Sequence, residues 1–289
     1  MSSWLVTGAG GMLGTDLVAE LTGAGHEVAA LRREELDITD PAAVLAAVRA
    51  AGAQLVVNTA AYTDVDGAES HEDLAQRVNG AGAANLAAAC AAAPDRPVLL
   101  QLSTDYVFDG EASTPYPEDA PTRPRTAYGR SKLAGERAVL ETLPDRGVVL
   151  RTAWLYGNHG ANFVATVLRL AAERDHLDIV DDQHGQPTGT RELAARVREL
   201  GERVDAGSAP AGIYHASAAG RTTWYGLAQL VLALTGADPD RVRATTSERF
   251  PRPAPRPRFS VLGHDRWRLA GLAPMPSWDG ALADYLRAT

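Results

Sequence analysis

Five short β-rich runs alternate with Ala/Leu-rich helical stretches through the first half of the chain: Trp4 to Thr7, Val28 to Leu31, Leu55 to Asn58, Val98 to Ser103 and Val148 to Arg151. Strands joined through helices cannot pair as hairpins, so each must cross over and run parallel to its neighbour, with helices covering both faces of the sheet. The expected fold is therefore α/β, a Rossmann-type doubly wound parallel sheet. Past Arg151 the pattern loosens into helices over Phe163 to Glu173, about Arg191 to Arg203 and Thr223 to Thr235, with strands near Leu177 to Val180 and Ile213 to His215. A second, smaller lobe is implied. Phe250 to Phe259 alternates Pro with Arg and Ala and must be extended, which suits a segment crossing the mouth of a cleft.

The first strand runs into Thr7-Gly8-Ala9-Gly10-Gly11-Met12-Leu13-Gly14 and then a helix. Glycines at 8, 11 and 14 permit a tight turn and bring backbone N–H groups close to an anion at the helix N-terminus, the signature of a dinucleotide site. A carboxylate ending the second strand would grip a ribose 2′-hydroxyl, but here the strand ends Leu31-Arg32-Arg33. Guanidinium groups suit a 2′-phosphate, so NADPH is favoured over NADH. The bland alternative is a solvated pair answering Glu34 and Glu35. Asp37 and Ile38 follow in a loop where they could meet an adenine, and Asn58 to Ala61 ends the third strand with small residues that let backbone pass beside a cofactor. Residues 1–150 are expected to form the NADP(H)-binding domain. Residues 151–289 are expected to form mainly a C-terminal substrate-binding lobe, with some segments returning to the first domain.

The chain holds 28 Lys plus Arg, of which all but one are arginine; the exception is Lys132. Where arginine has replaced lysine everywhere else, the retained ammonium marks a position at which a planar guanidinium fails chemically. Lys132 follows Tyr128 by four residues near the start of a helix, so both side chains project from one face. The ammonium is expected to lower the phenol's pKa and to reach a nicotinamide ribose. Ser103-Thr104, ending the fourth strand, offers a hydroxyl at the carboxyl end of a parallel sheet, where ligands bind. Thr104, Tyr128 and Lys132 are the candidate catalytic set. The alternative reading makes Tyr128 a surface anchor and Thr104 a turn cap. Trp154 is ambiguous between a core aromatic and a platform for a sugar or base.

Other classes fare worse. A net charge of -8 with interleaved signs disfavours nucleic acid and anionic membranes. No apolar run is long enough to span a bilayer and the N-terminus enters a strand directly, so a cytoplasmic protein is expected. The 7 histidines are scattered and the single Cys90 sits in an Ala-rich run, so no metal site is expected, His184 included.

Four blocks, Ser103-Thr-Asp-Tyr-Val-Phe-Asp-Gly110, Tyr128-Gly-Arg-Ser-Lys-Leu-Ala-Gly-Glu136, Arg151-Thr-Ala-Trp-Leu-Tyr-Gly157 and Asp182-Gln-His-Gly-Gln-Pro-Thr188, resemble the dTDP-4-dehydrorhamnose reductase family of extended short-chain dehydrogenase/reductases. Ala61 to Glu69 and Pro253 to Leu262 extend the resemblance over nearly the whole chain. It implies NADPH-dependent reduction of the C4 ketone of a dTDP-4-keto-6-deoxy-L-sugar, yielding dTDP-L-rhamnose, with Tyr128 giving the proton, Thr104 holding the oxygen and Lys132 tuning the phenol. By position, the resemblance puts Gly11, Met12 and Leu13 at the pyrophosphate, Asp37 and Ile38 at the adenine, and Ala60, Ala61, Tyr62 and Thr63 along the cofactor. Thr104, Asp105 and Trp154 would meet the sugar nucleotide, with Arg256 or Arg258 at its diphosphate. Two departures stand out. Arg32 replaces the acid that often ends the second strand, which argues against dual NADH/NADPH use. Trp278 to Thr289 lacks the glutamates through which some members form magnesium-bridged dimers, so a monomer or a homodimer of another kind is expected. A 4,6-dehydratase would need Asp-Glu where Asp105-Tyr106 stands, and the block around Asp105 argues against an epimerase. The remaining rivals are a sister ketoreductase of a natural-product deoxysugar pathway and a non-catalytic NADP-binding regulatory subunit, and the retained lysine argues against the second.

Overall fold

The computed structural model describes residues 1–288. The first half comprises β1 (Ser3–Thr7), α1 (Met12–Gly23), β2 (Glu27–Leu31), α2 (Pro41–Ala51), β3 (Leu55–Asn58), α3 (Val65–Ala68), α4 (Glu72–Ala75), a π-helical segment Gln76–Ala81, α5 (Gly82–Ala92), β4 (Val98–Thr104), α6 (Ala127–Thr142) and β5 (Gly147–Thr152). The second half continues with β6 (Leu155–Tyr156), α7 (Phe163–Glu173), β7 (Leu177–Val180), β8 (His184–Gly185), β9 (Thr188–Gly189), α8 (Thr190–Asp205), β10 (Gly212–His215), β11 (Thr222–Thr223), α9 (Trp224–Leu234), β12 (Val242–Thr245), α10 (Asp265–Leu269) and α11 (Trp278–Ala288).

Six strands form one sheet in the order β10-β5-β4-β3-β1-β2, every neighbour parallel. Period-two alternation divides its side chains between two cores. Trp4, Val6, Leu55, Val57 and Leu100 point to one face, under α1 and α8; Leu5, Val56 and Leu99 point to the other, under α2 and α5. Both faces are apolar because both are covered, which is why the strands read as unbroken hydrophobic runs. Local signals set the helix ends. Asp40 caps α2 by accepting from the N–H groups of Ala42 and Ala43, Pro41 opens it, and Gly52 closes it in the left-handed conformation.

After β5 the chain leaves the sheet, returns through α8 and β10, and leaves again. At Gly201 an added Cβ would lie 2.6 Å from the Trp4 ring, so α8 packs down on β1 only because that residue is glycine. A third core, with Val164, Val167, Leu177, Leu227, Val231, Val242 and Leu282, joins α7, α9, α11 and the β7–β12 pair into a smaller lobe beside the carboxyl ends of the strands. Trp267 of α10 packs back into the core under the sheet.

Leu100, wholly buried on β4 between β3 and β5, tests this packing. Leu100→Ala should cost ~2–5 kcal/mol of unfolding free energy, read from the chemical-denaturation midpoint at unchanged slope. An unshifted midpoint would contradict the buried central strand.

Candidate active site

A cleft of about 1520 Å3 opens where β1, β3, β4 and β5 end, with the small lobe as its opposite wall. This exceeds the roughly 300–1,000 Å3 of a site for one small ligand. Its first wall is the glycine turn. Gly8 has φ +70°, and a Cβ there would lie 2.5 Å from the Ala60 nitrogen, so only glycine lets the turn rest on the Thr59–Ala60 backbone. Gly11 precedes α1 without a side chain to cap it, and Gly11, Met12 and Leu13 line the cleft, so the open N–H groups of the first turn fit an anion such as a pyrophosphate. Gly14 does not line the cleft. A Cβ on it would come 2.4 Å from the Gly8 carbonyl oxygen, so its role is helix-to-turn packing.

Arg32 and Arg33 are exposed at the end of β2, and neither guanidinium has a carboxylate within ion-pair distance among the described residues. Glu35 instead accepts from the Arg32 backbone N–H at 2.8 Å. The Arg32 stem lies beside Gly10, leaving an unpaired cation near the cleft rim that fits a 2′-phosphate. Asp37 and Ile38 line the same wall. The Asp37 carboxylate accepts from the Thr39 backbone N–H and hydroxyl, and these bonds hold its pKa below the usual carboxylate value. Ala60, Ala61, Tyr62 and Thr63 complete the wall. Both backbone groups of Tyr62 are held by the buried Asn79 side chain, whose Nδ2 also donates to the Ser131 hydroxyl at 2.9 Å. Asn79 lies in the π-helical segment, a form often found at functional sites, and so ties this wall to the helix that carries Tyr128 and Lys132. Nothing in its Ala-rich sequence context signals that role.

Thr104 ends β4, and Tyr128 and Lys132 stand one turn apart on α6, whose N-terminus is capped by the Thr126 hydroxyl. All three line the cleft. The Thr104 hydroxyl donates to Asp105 Oδ1 at 2.9 Å and accepts from the Tyr106 backbone N–H at 3.2 Å. Glycine at 129 is obligatory, since a Cβ would lie 2.2 Å from the Tyr106 carbonyl oxygen, and this close approach brings α6 against the end of β4.

One sequence expectation is corrected here. Burial, with the Asp105 carboxylate next, pushes the phenol up, and Lys132 does not offset it. The Lys132 ammonium points elsewhere and donates to the Leu102 carbonyl oxygen at 2.6 Å. Burial lowers its pKa to about 8, opposed by Glu136. The phenol is therefore held as a proton donor, the form a ketone reduction consumes.

The hydroxyl of Ser103, beside Thr104 in sequence, donates to Glu136 Oε1 at 2.5 Å. Glu136 in turn takes both forks of Arg151, at 2.9 and 2.7 Å, with both side chains 2% exposed. Neither residue stood out in the sequence except as part of a longer block. Glu136 falls one helical turn after Lys132 and Arg151 near the end of a strand, which is the signal that locates them.

On the substrate side, Asp105 is buried, its pKa is raised to about 6 by that burial, and its Oδ2 has no hydrogen-bond partner among the described residues. Trp154 takes φ +48°, unusual for so large a residue, and stacks on Trp224 with centroids 3.6 Å apart and planes 8° from parallel. Trp224 is oriented by its indole N–H donating to Gln183 Oε1 at 3.0 Å. Trp224 and Gln183 line the cleft and were not singled out from sequence. Arg256 lines the cleft, but Asp66 takes its guanidinium at 2.9 and 2.8 Å. Arg258 does not line it: Pro257 packs onto Gly110, and Arg258 borders a separate small cavity with Tyr106 and Arg125. The arginine overlooked on this segment is Arg252, which lines the cleft 3.9 Å from Asp66.

A glycine turn at a helix N-terminus, a parallel sheet, and a tyrosine and lysine one turn apart facing the strand ends define a site of the short-chain dehydrogenase/reductase class. A model of the family described as RmlD substrate binding domain matches residues 2–289, and the chain belongs to that family. It is 57% identical over 285 residues to a dTDP-4-dehydrorhamnose reductase of Streptomyces griseus, covering 99% of this chain and 93% of that one. It is 51% identical over 280 residues to a dTDP-4-keto-6-deoxy-D-glucose reductase of Streptomyces niveus, covering 96% and 94%. Among solved structures, the dTDP-4-dehydrorhamnose reductase of Bacillus anthracis in complex with NADP matches with a TM-score of 0.93, 35% identity and complete coverage of both chains.

The buried Lys132 sets a pH dependence. Below about pH 8 its ammonium dominates and above it the neutral amine does, so kcat/KM for the cofactor should decline as pH rises through about 8. A pH–rate profile flat to pH 10 would remove the ammonium from the working site.

Proposed function

We propose that the protein reduces the C4 ketone of dTDP-4-dehydro-6-deoxy-L-mannose with NADPH, giving dTDP-L-rhamnose, in the cytoplasm and as a monomer or homodimer. The observation that carries this reading is that Thr104 at the end of β4 and Tyr128 with Lys132 one turn apart on α6 line one cleft together with the open N-terminus of α1. The names of the relatives support the substrate class, and the NADP complex of the Bacillus anthracis protein supports the cofactor.

The bound cofactor would supply a hydride to the carbonyl carbon. Gly11, Met12, Leu13 and the first turn of α1 would bind its pyrophosphate, Arg32 and Arg33 its 2′-phosphate, and Lys132 its ribose. Thr104 and Tyr128 line the same cleft, and their hydroxyls would hold the ketone oxygen as negative charge develops there. Tyr128, kept neutral by burial, then gives that oxygen a proton. Asp105 beside Thr104 would meet the sugar, and Arg151–Glu136 fixes the elements behind the pair without touching substrate. The similarity to the Streptomyces niveus enzyme, named for a 4-keto-6-deoxy-D-glucose substrate, keeps a sister 4-ketoreductase that makes a different deoxysugar as the second reading.

Purified protein mixed with NADPH and enzymatically generated dTDP-4-keto-L-rhamnose should oxidise the cofactor stoichiometrically and yield dTDP-L-rhamnose. A C4 epimer as product would favour the sister reading, and cofactor binding without oxidation would favour a regulatory subunit. Tyr128→Phe should lower kcat by about 100-fold or more with little change in NADPH affinity, because the lost group acts only in the transition state. Full turnover by that variant would refute the mechanism. The double variant Arg32→Gln with Arg33→Gln should raise KM for NADPH by roughly tenfold and leave that for NADH nearly unchanged. Equal effects on both cofactors would rule out a 2′-phosphate contact.

A further inference from the structure

The Pro-rich segment between β12 and α10 is pinned at two points, one on each side of the cleft. At one end Asp182 accepts from the Ser247 backbone N–H and hydroxyl, the shortest contact being 2.8 Å, which fixes the segment to the small lobe. At the other, Asp66 on α3 accepts from the Ala254 N–H and both arms of Arg256, which fixes it to the dinucleotide-binding half. Residues 248–253 span the gap. Prolines at 251 and 253 stiffen the span and remove two N–H donors that would otherwise seek partners.

Two side chains on the span are anomalous. Phe250 is the only exposed aromatic among the described residues, at 45%, and it borders the cleft. An aromatic left open on the wall of a cavity is a face waiting for another flat group. Arg252 is the other. Its side chain is 63% exposed, and its nearest carboxylate, Asp66 at 3.9 Å, is already engaged twice by Arg256. The remaining cleft cations stand on the dinucleotide-binding half: Arg32 and Arg33 follow β2, Arg77 lies in the π-helical segment, and Lys132 on α6 bonds Leu102. On the sugar-nucleotide side the unsatisfied cation is Arg252. Asp178, Ile179 and Val180 of β7 line the same cleft as Phe250 and Arg252, and among the described residues β7 pairs only with β12.

We infer that residues 248–253 form a nucleoside-diphosphate clamp, in which Phe250 covers the base against β7 and Arg252 meets the diphosphate, while Arg256 holds the clamp to Asp66. The inference rests on the substrate class given under Proposed function and adds the residues that select it. It divides the work on this segment between an anchoring and a binding arginine, and it leaves the sugar end to Thr104, Asp105 and Trp154. The protein's net charge of -8 repels an anionic substrate, so a local cation at the cleft mouth has more to offset than in a neutral protein.

Calorimetric titration of the full chain with dTDP, and separately with NADPH, tests it. For Phe250→Ala and Arg252→Gln the dTDP Kd should rise about tenfold or more, with NADPH binding within twofold of the parent, and the ionic-strength dependence of dTDP binding should flatten in Arg252→Gln alone. Both side chains are exposed, so the fold is not at risk; unchanged thermal melts check this. If the parent binds dTDP and both variants bind it equally well, the clamp is wrong and the substrate class stands. If the parent binds NADPH and not dTDP, the substrate class itself falls, and the clamp with it.

Discussion

The buried pair Arg151–Glu136 is the constraint around which the site is arranged. It joins β5 to α6, takes the Ser103 hydroxyl of β4 through Glu136, reaches the Glu118 carbonyl through Arg151, and lies under the Phe108 ring at 5.0 Å. Desolvating two charges costs several kcal/mol each, which a pair recovers only with near-ideal geometry and further hydrogen bonds, so the arrangement is better understood as fixing position than as adding stability. What it fixes is α6 relative to the end of β4. Thr104 is carried by one and Tyr128 with Lys132 by the other, and a shift of an ångström between them would move the two hydroxyls relative to each other.

The same pair governs charge. Glu136 stands one turn from Lys132 and opposes the burial that discharges it. Beside Arg151 the imidazole of His215 is driven down to about 3 by burial and then by Arg151. The site thus holds a neutral histidine beside the ion pair, with Lys132 brought to about 8 and Asp105 raised to about 6 on its two sides.

Much of the architecture was legible because both sheet faces are covered: apolar strands, helices between them and glycines at the first turn leave few alternatives to a doubly wound sheet. Thr104, Tyr128 and Lys132 were legible for a related reason, since strand ends and a one-turn spacing place residues without knowledge of packing. What stayed hidden depends on contacts distant in sequence. The stretch between β3 and β4 reads as one helix but breaks into α3, α4, a π-helical segment and α5, because Asp64 caps at Gly67 and Asn79 is drawn to Tyr62 and Ser131. Alternation of Pro and Arg foretold an extended segment, yet not which arginine would face Asp66, because that is decided by Pro257 lodging on Gly110. Likewise Trp154 was ambiguous until Trp224, 70 residues on, was seen to lie flat upon it.

The arginine bias of the chain turns these two neighbouring sites into a comparison within one molecule. At Arg151 the planar fork meets both oxygens of Glu136 and its third nitrogen reaches the Glu118 carbonyl, a geometry that a single ammonium cannot reproduce. At Lys132 the buried cation makes its bond to Leu102 through one atom and sits where burial brings its pKa to about 8. A guanidinium there would not release its proton near that pH. Cation identity follows at both places from the number of acceptors each cation meets and from the proton it must or must not release, which accounts for the one lysine of the chain standing at residue 132.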